Sequence, residues 1–124
     1  MNNNNLKHEI MWWMSRLTIM LTSLFLSFTL ASSAYAADIT MGSGGNLVFE
    51  PNEITISAGE TVTITNGDLP PHNFVVADHP ELSHPDLAFV GGESFGVTFD
   101  KAGDYEFQCE PHAGAGMKGV IHVK

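Results

Sequence analysis

The chain predicts an all-β domain built as a two-sheet sandwich, and two observations carry that prediction. Apolar residues after residue 37 recur with the period of two that puts one face of a strand in a core. Clusters of turn residues interrupt these runs at short, regular intervals, and no internal repeat or linker divides them.

Taken in order, Ile54 and Ile56 alternate with Thr55 and Ser57, and Ala58-Gly59-Glu60 turns the chain. Val62 and Ile64 share a face of Thr61–Thr65, which Asn66-Gly67-Asp68 closes. Phe74 to Val76 is a short apolar run. Phe95, Val97 and Phe99 alternate up to a turn at Lys101–Asp104. Tyr105, Phe107 and Cys109 continue the pattern, and Gly119 to Val123 reads as a last strand. Seven or so short strands at this spacing favour a sandwich. Asp78 to Phe89 has no clean period and reads as loop, with one short helical turn near residues 81–89.

The first third of the chain does not read as domain material. Lys7 and Arg16 precede an apolar run from Leu17 to Leu30, and Ala34-Tyr35-Ala36 follows as a small-residue cleavage pattern. Residues 1–36 are therefore expected to be a secretory signal peptide, with the domain spanning 37–124. A retained anchor is the alternative, but the run falls short of the ~20 residues a spanning helix needs. The Asn2–Asn5 lead-in and the Trp12-Trp13 pair are unusual for a leader, so translation from Met14 is an open alternative to Met1.

The expected domain carries thirteen acidic residues against three lysines, Lys101, Lys118 and Lys124, for a formal charge of −10. That acidity excludes nucleic acid, whose phosphates it would repel, and favours partners with a basic docking face. A domain this small often needs a staple. Cys109 is the sole cysteine, so no intramolecular disulfide can form, and a metal is the natural substitute.

The segment after Phe107 reads Gln108-Cys109-Glu110-Pro111-His112-Ala113-Gly114-Ala115-Gly116-Met117, a Cys-x2-His-x4-Met spacing between two expected strands. His72 lies upstream, in Pro70-Pro71-His72-Asn73. Taken singly, each has an ordinary explanation: an inert buried thiol, a core methionine, a turn histidine. Jointly, two imidazoles, a thiolate and a thioether form the His2Cys plane with a weak axial Met expected of a blue-copper electron-transfer site. Structural zinc uses Cys and His in fours and rarely a thioether, so Met117 favours copper. Proline fixes φ before both histidines, and Gly114 and Gly116 let the loop turn tightly. His79, His84 and His122 are expected at the surface.

At these residues the chain resembles the plastocyanin family of cupredoxins, cyanobacterial forms in particular. The resemblance rests on Gly45-Asn46-Leu47-Val48-Phe49-Glu50-Pro51, the Ser57-Ala58-Gly59-Glu60 turn, Pro71-His72-Asn73 and the Cys109–Met117 run. It implies a Greek-key β-sandwich of eight strands holding one copper ion that alternates between Cu(I) and Cu(II). In it, His112 is the ligand at the solvent edge and Asn73 ties the ligand loops together. An apolar docking patch maps onto Gly45, Leu47, Pro71, Pro111, Gly114 and Ala115. It also implies a soluble monomer in the thylakoid lumen, taking electrons from cytochrome f to photosystem I. Two positions depart from the family pattern: Gln108 stands where a tyrosine is usual, and Ala113 where cyanobacterial members often have arginine.

A pseudoazurin-like or halocyanin-like carrier in a periplasm shares the ligand spacing and remains the alternative. A multicopper oxidase would need His-x-His pairs and a His-Cys-His run, which are absent. With every copper position filled by protein, no enzyme activity is expected. A copper store or delivery protein would use several Met or paired Cys, whereas only Met41 and Met117 follow the expected leader.

Overall fold

The computed structural model describes residues 6–12, 35–68 and 71–124. The chain divides into two compact units, Met1–Ser32 and Ser33–Lys124. In the first, residues 6–12 are helical. No helix among the described residues is long and apolar enough to cross a membrane. The apolar run expected to form the leader, Leu17 to Leu30, lies outside the described residues.

Among its described residues the second unit holds nine strands: β1 Tyr35–Met41, β2 Phe49–Glu50, β3 Glu53–Ile56, β4 Glu60–Asn66, β5 His72–Val76, β6 His84–Ala88, β7 Ser94–Phe99, β8 Gly103–Gln108 and β9 Lys118–Val123. They form a four-stranded sheet, β2-β1-β4-β7, and a five-stranded sheet, β3-β9-β8-β5-β6. Most neighbours are antiparallel, but β1 runs parallel to β4 and β3 parallel to β9. The expected all-β sandwich is the fold observed.

The alternation in the sequence maps onto the core. Val62 and Ile64 in β4, and Val97 and Phe99 in β7, are buried from one sheet. Phe74 and Val76 in β5, Tyr105 and Phe107 in β8, and Ile121 and Val123 in β9 are buried from the other. Phe49, Phe74 and Phe107 meet at centroid separations of 4.8–6.1 Å, joining the sheets through aromatic contacts. The Tyr105 hydroxyl donates to the Lys101 carbonyl at 2.8 Å, pinning the β7–β8 turn.

Two expectations need correction. The segment Asp78 to Phe89, read as loop, contains β6, and its helical turn is a 3-10 turn at Pro80–Leu82. β6 is an edge strand with only Ala88 buried, so it has no apolar alternation to read. Pro85 is tolerated there because an edge strand can leave one N–H side unpaired. β1 carries the second departure: its Ile39 and Met41 are fully buried, yet it begins within the expected cleavage pattern and was not read as a strand. Its pairing with β4 is regular from Ala37 onward, after a register shift between Tyr35 and Ala37.

Candidate metal centre

β5 and β8 pair antiparallel, with Val75 opposite Gln108. That register brings the start of β5, where His72 sits, beside the end of β8, where Cys109 follows Gln108. Cys109 caps a 3-10 turn, Glu110–Ala115, with Pro111 in its first positions and Gly116 at φ 88° ending it. Three backbone bonds close this loop on itself: Cys109 N–H to the Met117 carbonyl (3.1 Å), Met117 N–H to the His112 carbonyl (3.2 Å) and His112 N–H to the Cys109 carbonyl (3.1 Å). All three potential ligands on the loop are thereby held by main chain at one end of the sandwich.

Donor atoms of His72, Cys109 and His112 all lie within 4.8 Å of one another. The Cys109 sulfur is 3.4 Å from Nδ1 of His112 and 3.7 Å from Nδ1 of His72. Two donors each about 2.0–2.3 Å from a common ion, spread by about 110–120°, stand roughly 3.5–3.7 Å apart. The observed spacings are those of donors shared by one ion. The imidazole rings are 5.0 Å apart at 66°, so both present Nδ1 to the sulfur without stacking. His72, Cys109 and Met117 are fully buried, whereas His112 is partly open. The set of two imidazoles, one thiol and a buried thioether therefore fits copper, with His112 as the edge toward solvent.

Burial pushes the Cys109 thiol up from its ordinary range, with the Glu110 charge adding to the rise. Backbone N–H groups of Asn73 and His112 pull the other way, favouring thiolate. A cation at this spot would complete what those two donors begin, because a coordinated thiol is deprotonated.

Asn73, itself buried, joins three segments. Its Oδ1 accepts from the Glu110 N–H at 2.8 Å, and its Nδ2 donates to the Glu110 carboxylate at 2.9 Å and to the Pro85 carbonyl at 3.0 Å. It thus ties β5, β6 and the Cys109 loop around the donors, the arrangement that orients ligands in metal sites.

Gly42 was not singled out from the sequence. It has φ 72°, and a Cβ there would overlap Nε2 of His72 and come within 2.9 Å of its Cδ2. The glycine lets main chain press on the ring edge opposite the Cys109 sulfur. Gly67 repeats the device one layer out, since a Cβ there would meet the carbonyls of Met41 and Gly42 at 2.7 and 2.9 Å. Asn66, read only as a turn residue, is buried at the end of β4. The available signal is the glycine-rich Met41-Gly42-Ser43-Gly44-Gly45 run, but nothing local says which glycine meets His72.

Of the six positions mapped as a docking patch, Leu47, Pro111, Gly114 and Ala115 are exposed, and Gly45 and Pro71 are half-buried. Of the three histidines expected at the surface, His84 is exposed, whereas His79 and His122 are half-buried. His84 stacks on Phe95 at 4.0 Å, and His79 pairs with Glu81 at 2.9 Å. His122 is bracketed by Asp104 at 2.6 Å and Glu53 at 3.0 Å.

Comparison with known proteins agrees with this geometry. A family profile for copper binding proteins of the plastocyanin/azurin family matches residues 36–124. The chloroplastic plastocyanin of Tetradesmus obliquus is 45% identical over 106 residues, covering 78% of this chain and 73% of that protein. Plastocyanin of Nostoc punctiforme is 42% identical over 123 residues, covering 87% and 88%. Among solved structures, a mutant fern plastocyanin superposes with a TM-score of 0.63 at 36% identity, covering 70% of this chain and 99% of that one.

Proposed function

We propose that this chain, which belongs to the plastocyanin/azurin family of copper-binding proteins, holds its one copper ion with His72, Cys109, His112 and Met117. The convergence of the His72, Cys109 and His112 donors within 4.8 Å carries three of these assignments, and Met117 joins them on its full burial and its backbone bonds to Cys109 and His112 in the same loop. When bound, copper supplies a one-electron couple between Cu(I) and Cu(II), and the chain acts as a type 1 copper electron carrier. The chain's own part is to hold the donors still. The Cys109–Met117 loop is closed by its main chain, Asn73 bridges three segments, and Gly42 seats His72. Donors that move little between the two charge states keep the reorganisation accompanying each transfer small.

His112 is the donor side chain nearest solvent, so electrons pass through its ring to a partner docked on the surrounding apolar residues. We assign the partners as cytochrome f, the donor, and photosystem I, the acceptor. The site of action is the thylakoid lumen, after export and removal of residues 1–36. The acidic surface favours a basic docking face, and association with such a partner slows as salt rises, by screening.

A visible spectrum of the copper-loaded protein tests the assignment first. A strong charge-transfer band with reversible one-electron redox is expected, and colourless oxidised protein with stoichiometric copper would refute it. Flash kinetics with the soluble haem domain of cytochrome f and with photosystem I then test the route. N-terminal sequencing of the exported form, expected to start at Ala37, tests the leader.

A further inference from the structure

Cys109, His112 and Met117 share one loop that its own main chain closes. His72 lies 37 residues from Cys109, so its imidazole has to be braced from elsewhere. Asn73 fixes the peptide that follows it. The ring itself stands between two other walls, and both rest on Asn66.

The first wall is the neighbouring strand. His72 pairs with Ala88 across β5 and β6, and the Ala88 carbonyl accepts from Nδ2 of Asn66 at 3.3 Å. The same Nδ2 donates to the Val90 carbonyl at 3.0 Å. The main chain of Asn66 holds the rest of that turn. Its N–H donates to the Glu93 carbonyl at 2.7 Å, and its carbonyl accepts from the Gly92 N–H at 2.8 Å.

The second wall is Gly42, whose main chain lies so near the His72 ring that no Cβ fits between them. Gly67, the residue after Asn66, backs that wall. Its N–H donates to the Met41 carbonyl at 2.7 Å. A Cβ on Gly67 would stand 2.9 Å from the Gly42 carbonyl oxygen and 3.1 Å from its carbonyl carbon. The parallel pairing of β1 and β4 sets Met41 opposite Asn66, so the two segments are in register as well as in contact. A displacement of Asn66 therefore reaches His72 from both sides.

The choice of residue fits this task. Asn66 is 1% exposed, and its Oδ1 has no hydrogen-bond partner among the described residues. A buried unpaired oxygen is a cost that an apolar side chain would avoid. What asparagine alone supplies here is the pair of Nδ2 bonds, and one of them goes to the residue paired with His72.

We propose that Asn66 is a positioning residue for His72, setting where the imidazole stands relative to the Cys109 sulfur, which is 3.7 Å from its Nδ1. The inference rests on the ligand assignment proposed above. Thiolate and thioether suit Cu(I), whereas imidazole serves both charge states. An imidazole held less firmly thus weakens the Cu(II) state more, and the balance moves toward Cu(I).

The test compares copper-loaded Asn66→Ser, which loses both Nδ2 donors, with Val97→Ala, a core truncation in β7 opposite Val62 and on neither wall. Both variants are expected to melt below the native chain. Only Asn66→Ser is expected to displace the visible charge-transfer band. At a fixed ambient potential its Cu(I):Cu(II) ratio is expected to rise about threefold or more. Proton NMR of its Cu(I) form should show the His72 ring resonances moved and those of His122 unmoved. A band in its native place with a smaller change in the ratio would overturn the positioning role while leaving the ligand assignment standing. An equal displacement in Val97→Ala would overturn it as well, since general loosening would then suffice. A native chain with no such band would overturn the ligand assignment and this inference together. Should Asn66→Ser fail to fold, Asn66→Thr, whose hydroxyl keeps one donor, is read by the same spectrum and ratio: a shift toward Cu(I) supports the role, and a native spectrum and ratio overturn it.

Discussion

His72 and His122 lie on strands of the same sheet, and each has two partners within reach, yet the two neighbourhoods do opposite things with an imidazole. Around His72 the donors converge: Cys109 and His112 bring their sulfur and nitrogen to one side of the ring, in a buried and largely uncharged pocket. Around His122 the partners diverge. Asp104 meets Nδ1 and Glu53 meets Nε2, on opposite edges of the ring, and both carboxylates are mostly exposed. Convergence leaves a point where a cation is shared by several donors. Divergence leaves a ring that is best satisfied by holding two protons itself. Residue type is the same in both places; the direction from which partners approach decides between a candidate metal ligand and an ion-pair clamp.

The largest effect expected from this contrast is at the converging cluster. Cys109→Ser removes the soft donor, so copper-loaded variant should lose the intense visible band entirely, which an absorption spectrum reads directly. The same spectrum of a His122→Gln variant should be unchanged. Gly42→Ala comes next. It places a methyl against His72 in a backbone conformation that disfavours side chains, at about 1–2 kcal/mol for the left-handed region alone and more for the overlap. A melting temperature lowered by roughly 4–8 °C per kcal/mol is expected for a domain of this size. The copper spectrum should shift as well, which a purely structural lesion elsewhere would not cause. Asn73→Ala should follow, with a loss of about 2 kcal/mol from its broken bonds to Glu110 and Pro85, measured by denaturant titration.

The smallest effect concerns His122 and is visible only in its pH dependence. Hydrogen bonds first to Asp104 and then to Glu53 raise its pKa above the ordinary value. The folded chain therefore binds that proton more tightly than the unfolded chain. The resulting stabilisation is full below the unfolded value of about 6.5 and is lost as pH rises through the higher folded value. The melting-temperature gap between native and His122→Gln chains should be wider at pH 5.5 than at pH 8.5. A constant gap would show that the clamp acts by packing alone.

Legibility in the sequence followed the same division between local and converging features. Strands with one buried face, such as β4 and β7, could be read because alternation records burial directly. β6 could not, because an edge strand with one buried residue leaves no such record. The Cys109–Met117 loop was readable because three donors of unusual type lie within nine residues of each other. Asn73 was placed by resemblance, and its three bonds are now explicit. Gly42 and Asn66 are not legible there, because a glycine and an asparagine mean nothing chemically until their neighbours are known.

From its order of residues alone, the chain determined the chemical identity of the candidate donors, the strand pattern that places them at loop ends, and the acidity of the domain. These are properties of individual residues and short spacings, and folding does not change them. Tertiary structure decided which imidazole atoms face the sulfur, which glycine seats His72, and where apolar side chains remain in water. Those outcomes depend on β5 pairing with β8 and on loops far apart in sequence stacking at one end, and distance and direction exist only once the strands have met.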